Sequence, residues 1–298
     1  MRSPNPRRTL AAGTVVLVAA LGLAACGDDA ADTKPSEAAA PLASVDQALA
    51  DAVPADIKAD GKIVIGVDSS YAPNEFLDED GKTVSGWDVD LFDAVAAKIG
   101  LKTEWVSSSF DGIIPGIGSG KYEVGVSSFT INAERLTQTS MVSYFSAGTQ
   151  WFGKEGATIS PDDACGKKIA VQAATVQVED IEARSKACTD AGKPKITIDQ
   201  YQGQDQATAA VVSGKDEAGL ADSPIAAYAV SKAPGLQLLG DIYDAAPYGY
   251  VLKKDSPFAQ VLADAVKAII ADGSYTKVLT EWGVEGGAIT DPAVDPAP

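Results

Sequence analysis

The sequence predicts an α/β protein built from two similar lobes, and three observations lead to this fold class. From residue 61 onward, short apolar runs alternate with longer amphipathic runs, which is typical of buried strands followed by helices. The order strand, helix, strand, helix, strand occurs before residue 130 and begins again at Lys168. A chain of 298 residues, 46% of them hydrophobic, is also long enough for one or two packed domains.

The first series begins at residue 63. Strands are predicted over residues 63–67, 103–106 and 124–128, and helices over residues 88–99 and 113–119. For the longer helix, Asp88 is the expected N-cap, the apolar residues fall on one face, and Gly100 follows the last residue. This alternation predicts one βαβαβ unit.

The second series predicts a similar unit. Its strands cover residues 169–171, 196–198 and 218–221, and its helices cover residues 177–187 and 204–212. Ser223 and Pro224 open a further helix, because serine supplies a capping oxygen and proline needs no amide partner there. The remaining elements are a strand over residues 248–252 and helices over residues 257–271 and 275–282. Two such lobes predict a cleft between them, since ligands of α/β sheets bind at the carboxyl ends of the strands.

The composition excludes several classes of function. The chain has no histidine, and its three cysteines form no CxxC pair, so Ser-His-Asp and Cys-His nucleophiles and His- or Cys-based metal sites are excluded. The formal charge of −17 argues against a nucleic-acid-binding surface. There is no phosphate-binding glycine loop, so no nucleotide cofactor is expected. Carboxylate, lysine or tyrosine chemistry remains open, and so does binding without catalysis.

The first 25 residues are predicted to be a lipoprotein signal peptide. Arg2, Arg7 and Arg8 precede an apolar run over residues 10–25, with no acidic residue among them. A transmembrane helix is the alternative, but the run is shorter than the ~20 residues that span a bilayer. The sequence Leu-Ala-Ala-Cys resembles a bacterial lipobox, which implies cleavage before Cys26 and a lipid on its sulfur. The arginine pair could instead mark twin-arginine export.

The mature chain is predicted to begin with a tether and to contain one disulfide. Residues 26–59 are rich in Ala, Asp and Pro and predict a flexible, lipidated tether, although residues 42–53 could form a short helix. Removal of the signal arginines takes the charge to −20. With Cys26 lipidated, Cys165 and Cys188 remain as an even pair in an oxidising compartment, so we expect a disulfide between them. Two separately buried thiols are the alternative, but polar residues flank both cysteines.

Five motifs occur in a fixed order along the two predicted lobes. They are GVDSSYAP at 66–73, GWDVDL at 86–91, FDGIIP at 110–115, SSFT at 127–130 followed by Glu134 and Arg135, and QAATVQ at 172–177. This ordered set resembles the polar amino-acid family of bacterial extracellular solute-binding proteins, family 3. The resemblance covers about residues 61–283. It implies a two-lobed periplasmic-binding-protein fold of type II, a hinged clamshell that delivers an amino acid to an ABC permease.

The resemblance also implies where the lobes begin and end. The two crossovers between lobes are expected near residues 146–149 and 245–248. Lobe 1 then consists of residues 60–148 plus 246–285, and lobe 2 of residues 149–245. The Ala-, Pro- and Asp-rich residues 286–298 are predicted to be a disordered tail.

Three charged residues stand at positions that the resemblance assigns to the ligand. Arg135 occupies the position that binds the α-carboxylate, for which a bidentate guanidinium is suited, although an ion pair with Glu134 is an alternative. Asp222 matches the partner of the α-ammonium, and it could also be the N-cap of the following helix. Asp68 lies where it could meet a cationic side chain.

Smaller polar residues and aromatic rings are also implied in the site. At the strand before Arg135, Ser128 and Thr130 are expected to contact the ligand's polar head, although small hydroxyl residues often end strands. Tyr71 and Phe110 match positions whose rings flank the ligand's side chain, with a place in the core as the alternative. After the proline, Asn74 replaces a common aromatic and could polarise the side-chain pocket.

In the second lobe, the resemblance implies a helix that meets the ligand with its first amides. Thr175, Val176 and Gln177 open this helix. The family usually has Gly-Thr-Thr where this chain has Ala174, Thr175 and Val176. Val176 lacks a hydroxyl, so it contributes only its backbone amide.

The leading hypothesis is a monomeric, membrane-tethered receptor for a polar amino acid. It would be extracytoplasmic and lipid-anchored, on the outer face of the cytoplasmic membrane or in the periplasm, and it would need no cofactor or metal. The alternative is a cyclohexadienyl/arogenate dehydratase-like enzyme on the same scaffold, which would need a carboxyl held protonated in the cleft. No catalytic residue is assigned, because the binding hypothesis uses every carboxylate in the motifs. A sensor module is a third option.

Overall fold

The structure is a computed structural model, and it describes residues 43–297. Helices and strands alternate through most of this part of the chain. The strands are β1 (Lys62–Val67), β2 (Ser70–Tyr71), β3 (Glu75–Leu77), β4 (Val84–Ser85), β5 (Lys102–Ser107), β6 (Val124–Gly125), β7 (Thr139–Lys154), β8 (Lys168–Gln172), β9 (Thr197–Tyr201), β10 (Ala218–Asp222) and β11 (Leu236–Lys253). The helices are α1 (Gln47–Ala52), α2 (Ala55–Lys58), α3 (Trp87–Lys98), α4 (Phe110–Ser119), α5 (Ala133–Gln138), α6 (Val176–Asp190), α7 (Gln204–Ser213), α8 (Ser223–Lys232), α9 (Phe258–Asp272) and α10 (Ser274–Trp282).

One large sheet runs through the described part of the chain, in the strand order β5-β1-β6-β11-β7-β10-β8-β9. β1 is parallel to β5 and β6, and β8 is parallel to β9 and β10. The antiparallel pair β7 and β11 joins these two parallel sets. β2, β3 and β4 form a small antiparallel sheet of their own. The predicted α/β class with two successive parallel units is confirmed.

β7 and β11 are long strands shared by both halves of the molecule. β11 pairs with β6 of the first half at Val251, whereas β7 pairs with β10 of the second half over residues 149–153. The register of the β7–β11 ladder shifts at three places between Leu239 and Gly249. The crossovers predicted near residues 146–149 and 245–248 lie in this stretch. The lobe boundaries drawn at those crossovers stay a prediction.

Each half has its own apolar core. In the first half, Tyr144 stacks on Tyr250 with ring centroids 3.9 Å apart, and Phe92 packs edge-on against Tyr250. In the second half, separate clusters form around Phe152 and Trp151. A space between the halves is therefore bounded by two separately packed units.

Helix α3 begins one residue earlier than predicted. Trp87 is its first residue, and Gly86 precedes it with a φ of 140°. A Cβ at Gly86 would lie 1.9 Å from the carbonyl oxygen of Asn74, so the close approach requires glycine. The prediction of Asp88 as N-cap is wrong, because Asp88 is the second helical residue and is fully buried.

The last part of the predicted tether is helical. Asp46 caps α1 by accepting a hydrogen bond from the amide of Ala48 at 3.0 Å, and its own amide donates to the carbonyl of Lys98 at 2.8 Å. Val53 packs into the core of the first half. A flexible tether through residue 59 is therefore wrong for residues 43–59, and the alternative of a short helix is confirmed, because the cap and the apolar contacts hold it in place.

The chain before residue 43 lies outside the described residues. The predicted signal peptide over residues 1–25, the predicted lipid anchor Cys26 and the remainder of the tether all fall there. Among residues 43–297, no helix is both long and apolar enough to cross a membrane.

The predicted disordered tail is wrong for residues 286–297. The amide of Ser143 donates to the carbonyl of Ala293 at 3.0 Å, and Val294 bridges to Val142. The Asp295 carboxylate accepts a hydrogen bond from the amide of Met141 at 2.7 Å. This segment therefore lies along β7, because that end of β7 still offers backbone groups for pairing.

The predicted disulfide is present in the second half. Cys165 and Cys188 are bonded, with their Cα atoms 5.6 Å apart. The bond joins the loop before β8 to the last turn of α6. In the chain-entropy account, a loop of this length contributes about 3 kcal/mol to the free energy of unfolding.

Candidate ligand-binding site

A small cavity lies between the two halves. It is lined by all ten residues predicted to bind the ligand, namely Asp68, Tyr71, Phe110, Ser128, Thr130, Arg135, Thr175, Val176, Gln177 and Asp222. Ser127 and Gln172 also line it.

The parallel strands explain why residues far apart in the sequence meet here. Asp68 follows β1 and Ser127 follows β6, while Gln172 and Asp222 are the last residues of β8 and β10. The carboxyl ends of parallel strands point to one edge of a sheet. Each half therefore directs one such edge towards the cavity.

Arg135 is held rigidly at one side of the cavity. It lies on α5, whose N-cap Asn132 accepts a hydrogen bond from the Arg135 amide at 2.8 Å. Its guanidinium carbon is 5.4 Å from the ring centre of Phe110 and 5.3 Å from that of Phe129. These rings fix the plane of the guanidinium, and the whole residue is only 9% exposed.

The polar contacts of Arg135 are to neutral groups. Nη1 donates to the carbonyl of Thr130 at 2.7 Å, and Nη2 donates across the cleft to the carbonyl of Ala174 at 3.3 Å. Within the described residues no carboxylate lies within 4.0 Å of its guanidinium, so the alternative of an ion pair with Glu134 is not seen. Burial lowers the pKa of Arg135, and the charge of Asp222 opposes that shift.

Asp222 lies at the opposite side, in the second half. Its Oδ2 accepts a hydrogen bond from the Tyr71 hydroxyl at 2.9 Å, and its Oδ1 accepts one from Gln177 Nε2 at 2.7 Å. Asp222 occupies the N-cap position of α8, but its side chain makes no capping hydrogen bond. Burial raises the pKa of this carboxyl, and the hydrogen bonds from Tyr71 and Gln177 oppose the shift.

Asp68 is the third charged residue that lines the cavity. Its carboxylate accepts hydrogen bonds from the amides of Ser70 and Phe110 at 3.0 and 3.1 Å, and from Gln172 Nε2 at 2.8 Å. Burial is again the main cause that raises its pKa. The bond from Gln172 comes from the other half of the molecule.

The hydroxyl groups of Ser128 and Thr175 have different kinds of hydrogen-bond partner. The Ser128 hydroxyl donates to Glu75 and accepts from the side-chain amide of Asn74, at 2.7 and 2.8 Å. Thr175 Oγ1 donates to the carbonyl of Gln172 at 2.8 Å. Asn74 is fully buried and does not line the cavity, so the expectation that it polarises the side-chain pocket is wrong.

α6 begins at Val176, directly after Thr175. Both residues line the cavity, so the first turn of this helix faces it. The free amides of a first helical turn favour an anionic group. This position agrees with the amide role predicted for Val176.

Sequence reasoning missed Gln172. It is the last residue of β8 and is 2% exposed. Gln172 directly follows the predicted strand over residues 169–171, so its place at the carboxyl end of a buried strand is a signal that could have identified it.

Two halves that enclose a small polar cavity define a binding protein that surrounds its ligand. The chain belongs to the bacterial extracellular solute-binding proteins, family 3, which it matches over residues 63–285. This is the family that the five ordered motifs suggested.

Similar proteins share both the sequence and the fold. The arginine-binding protein ArgT of Corynebacterium glutamicum is 31% identical over 303 residues, which cover 100% of this chain and 99% of that protein. The structure of an ancestral arginine-binding protein bound to arginine has a TM-score of 0.69 and 31% identity, over 74% of this chain and 98% of that chain. An ancestral amino acid-binding protein, a precursor of cyclohexadienyl dehydratase, has a TM-score of 0.66 and 30% identity, over 76% of this chain and 97% of that chain. The predicted two-lobed periplasmic-binding-protein fold is confirmed.

Proposed function

We propose that this chain is an extracytoplasmic substrate-binding protein that holds a cationic amino acid, with arginine as the leading candidate, and delivers it to an ABC permease. The observation that carries the proposal is a set of three buried charges in one cavity. Arg135, Asp222 and Asp68 are 9%, 5% and 5% exposed. In the described part of the chain, none of the three has an oppositely charged side chain within 4.0 Å.

A buried charge without a partner is costly, so these groups favour a ligand that supplies three complementary charges. The α-carboxylate of arginine would face Arg135, its α-ammonium Asp222, and its guanidinium Asp68. The site has one positive and two negative charges, and arginine carries the opposite set. Glutamine would leave Asp68 without a cation, and glutamate would bring a second negative charge towards it.

Two relatives support this ligand class. ArgT of Corynebacterium glutamicum is an arginine-binding protein, and the ancestral structure has arginine bound. Both match this chain at 31% identity.

The same proposal includes movement of the two lobes. Lobe 1 is residues 60–148 plus 246–285, and lobe 2 is residues 149–245. Tyr71 and Asp222 come from different lobes under this division, as do Asp68 and Gln172. Closure would bring these pairs together around the ligand, and opening at the β7–β11 crossovers would separate them.

Calorimetric titration of the mature protein, refolded after unfolding to remove bound ligand, tests the function. L-Arginine should bind with micromolar or tighter affinity, L-glutamine should bind more weakly, and L-glutamate should not bind. Arg135→Ala and Asp222→Ala should each lose at least about 100-fold in arginine affinity, because each leaves one ligand charge buried without its partner.

Glu134→Ala is the matched control, because Glu134 is the exposed neighbour of Arg135. It should keep the wild-type affinity. If no amino acid binds wild-type protein tighter than millimolar, the function is wrong. If Arg135→Ala or Asp222→Ala binds as wild type does, that residue's role is wrong.

Lipid anchoring is the part of the proposal that concerns residues 1–26. The signal peptide would be cleaved before Cys26, and the lipid would hold the receptor at the membrane. Mass spectrometry of the mature N-terminus should find a lipidated Cys26, and Cys26→Ser should be released into the soluble fraction. A mature N-terminus at another residue would contradict this.

A dehydratase is the second candidate, and the structure described as a precursor of cyclohexadienyl dehydratase favours it. Such an enzyme needs a protonated carboxyl that reaches its substrate. Asp68 and Asp222 are the carboxyls that line the cavity, and binding a cation requires both to be ionised. We therefore expect no turnover of prephenate or arogenate, and release of the dehydrated product would support the enzyme instead.

A further inference from the structure

Two buried carboxyl groups lie together beneath the cavity, on residues that do not line it. Glu75 of β3 and Asp88 of α3 are both 0% exposed, and their carboxyl groups interact, so that each shifts the pKa of the other. Glu75 Oε1 accepts from the Ser128 hydroxyl at 2.7 Å, and Asp88 Oδ2 accepts from the Tyr144 hydroxyl. The other two oxygens, Glu75 Oε2 and Asp88 Oδ1, are buried and have no donor among the described residues.

No cation neutralises this pair. Within the described residues, neither carboxyl forms an ion pair with a lysine or arginine. The titratable groups that face the pair are acids and phenols, namely Asp68, Tyr71, Tyr144, Tyr248 and Tyr250. Two ionised carboxylates in contact would repel each other strongly in this environment. One shared proton removes the repulsion and supplies the donor that Oε2 and Oδ1 both lack.

The surroundings indicate which residue carries the proton. Asp88 is the second residue of α3, where the helix N-terminus favours a negative charge, and its Oδ2 also accepts from the Tyr144 hydroxyl. Glu75 has the Ser128 hydroxyl as its donor, and burial holds the pKa of its carboxyl well above the ordinary range. The proton therefore belongs on Glu75, which donates it to Asp88.

We propose that Glu75 and Asp88 share one proton at neutral pH and that this acid pair positions Ser128 at the ligand cavity. Ser128 has a φ of 52°, in the left-handed region that is unfavourable for serine. Its hydroxyl donates to Glu75 at 2.7 Å, so the pair holds this conformation through the Ser128 side chain. Glu75 and Asp88 are positioning residues that act through Ser128.

Glu75→Gln and Asp88→Asn test the shared proton. In each variant, the new side-chain amide can donate one N–H to the remaining carboxyl group. Its carbonyl oxygen can still accept from the hydroxyl of Ser128 in Glu75→Gln or of Tyr144 in Asp88→Asn, so both variants should fold. Difference infrared spectra at pH 8 should show a protonated-carboxyl C=O band in wild type that is missing from Glu75→Gln and shifted in Asp88→Asn, where the proton on Glu75 loses its carboxylate acceptor. A band that persists in Glu75→Gln, or is absent from wild type, would overturn the proposal.

The unfolding equilibrium gives a second readout that needs no ligand. If folding takes up a proton at Glu75, the unfolding constant of wild type should rise about tenfold per pH unit relative to Glu75→Gln, between pH 6 and 8. The matched control Glu79→Gln, in an exposed loop, should keep a constant ratio to wild type. A constant ratio for Glu75→Gln as well would mean that Glu75 is ionised in the folded protein.

The positioning role rests on the proposed function, because its readout is ligand affinity. Glu75→Gln should keep the arginine affinity within about threefold, whereas Glu75→Ala, which removes the acceptor for Ser128, should lose more than tenfold. Equal affinities for both variants would overturn the positioning role. If wild type binds no amino acid, the proposed function fails, while the infrared and unfolding results still decide whether the proton is shared.

Discussion

Under the proposed function, Asp68 is the residue on which ligand preference most depends. Arg135 and Asp222 can serve the carboxylate and ammonium that every amino acid has, whereas Asp68 faces whatever the side chain brings. Three donors from Ser70, Phe110 and Gln172 already support its charge. Burial raises the pKa of this carboxyl, and the three donors oppose that shift.

Asp68→Asn should therefore change selectivity more than overall binding. Arginine affinity should fall by at least about 100-fold, because the buried guanidinium loses its ionic partner, while glutamine affinity should change little. Wild-type arginine affinity should also weaken with acidification, since protonation of Asp68 removes the same charge. Calorimetric titrations with both ligands at pH 7.5 and pH 5 measure these effects.

Asp163→Asn is the control for a general loss of negative charge, because Asp163 is exposed in a loop. It should leave both affinities unchanged. Parallel losses for arginine and glutamine in Asp68→Asn would contradict a side-chain role for Asp68.

Single residues show both the strength and the limit of sequence reasoning. Nine of the ten candidate residues lie in the ordered motifs, Asp222 was named from the family resemblance, and all ten reach one cavity. The N-cap prediction for Asp88 was wrong, because an acidic residue before an apolar helix face is compatible both with an exposed N-cap and with a buried place in the first turn. The pairing of Asp88 with Glu75 depends on tertiary packing of β3 against α3, and no local pattern contains that information.

At the scale of elements, the short buried strands and the amphipathic helices were predictable, and the long strands were not. β7 contains serines, threonines and a glutamine among its aromatic residues, so it lacks both the alternation and the apolar run that predict a strand. The C-terminal segment was missed for a related reason. Its Ala, Pro and Asp content favours disorder, and only pairing with β7 orders it.

Asp295 is expected to contribute measurably to stability through that pairing. Asp295→Ala leaves the Met141 amide without its acceptor, so the free energy of unfolding should fall by about 1–3 kcal/mol. Urea denaturation measures the change. Asp291→Ala, at an exposed position of the same segment, should change stability by less than about 0.5 kcal/mol. Equal losses of stability in Asp295→Ala and Asp291→Ala would contradict a specific contribution of the Asp295 hydrogen bond.

At the scale of the whole molecule, repetition of the βαβ pattern was enough to predict two halves and a cleft. The point at which the chain crosses between halves was harder to place, because both crossings occur inside continuous strands rather than in loops rich in glycine or proline. The small β2–β3–β4 sheet was not predicted, since its strands are only two or three residues long.

The two crossings are hydrogen-bonded to each other, which has a mechanical consequence. Two independent linkers would let the halves swing and rotate in many directions. A twisted two-stranded ribbon is stiff along its length, and it bends most easily where the ladder is interrupted, here between Leu239 and Gly249. Under the proposed lobe movement, the ribbon would restrict bending to one direction, so that Arg135 and Asp222 would return to the same alignment at each closure.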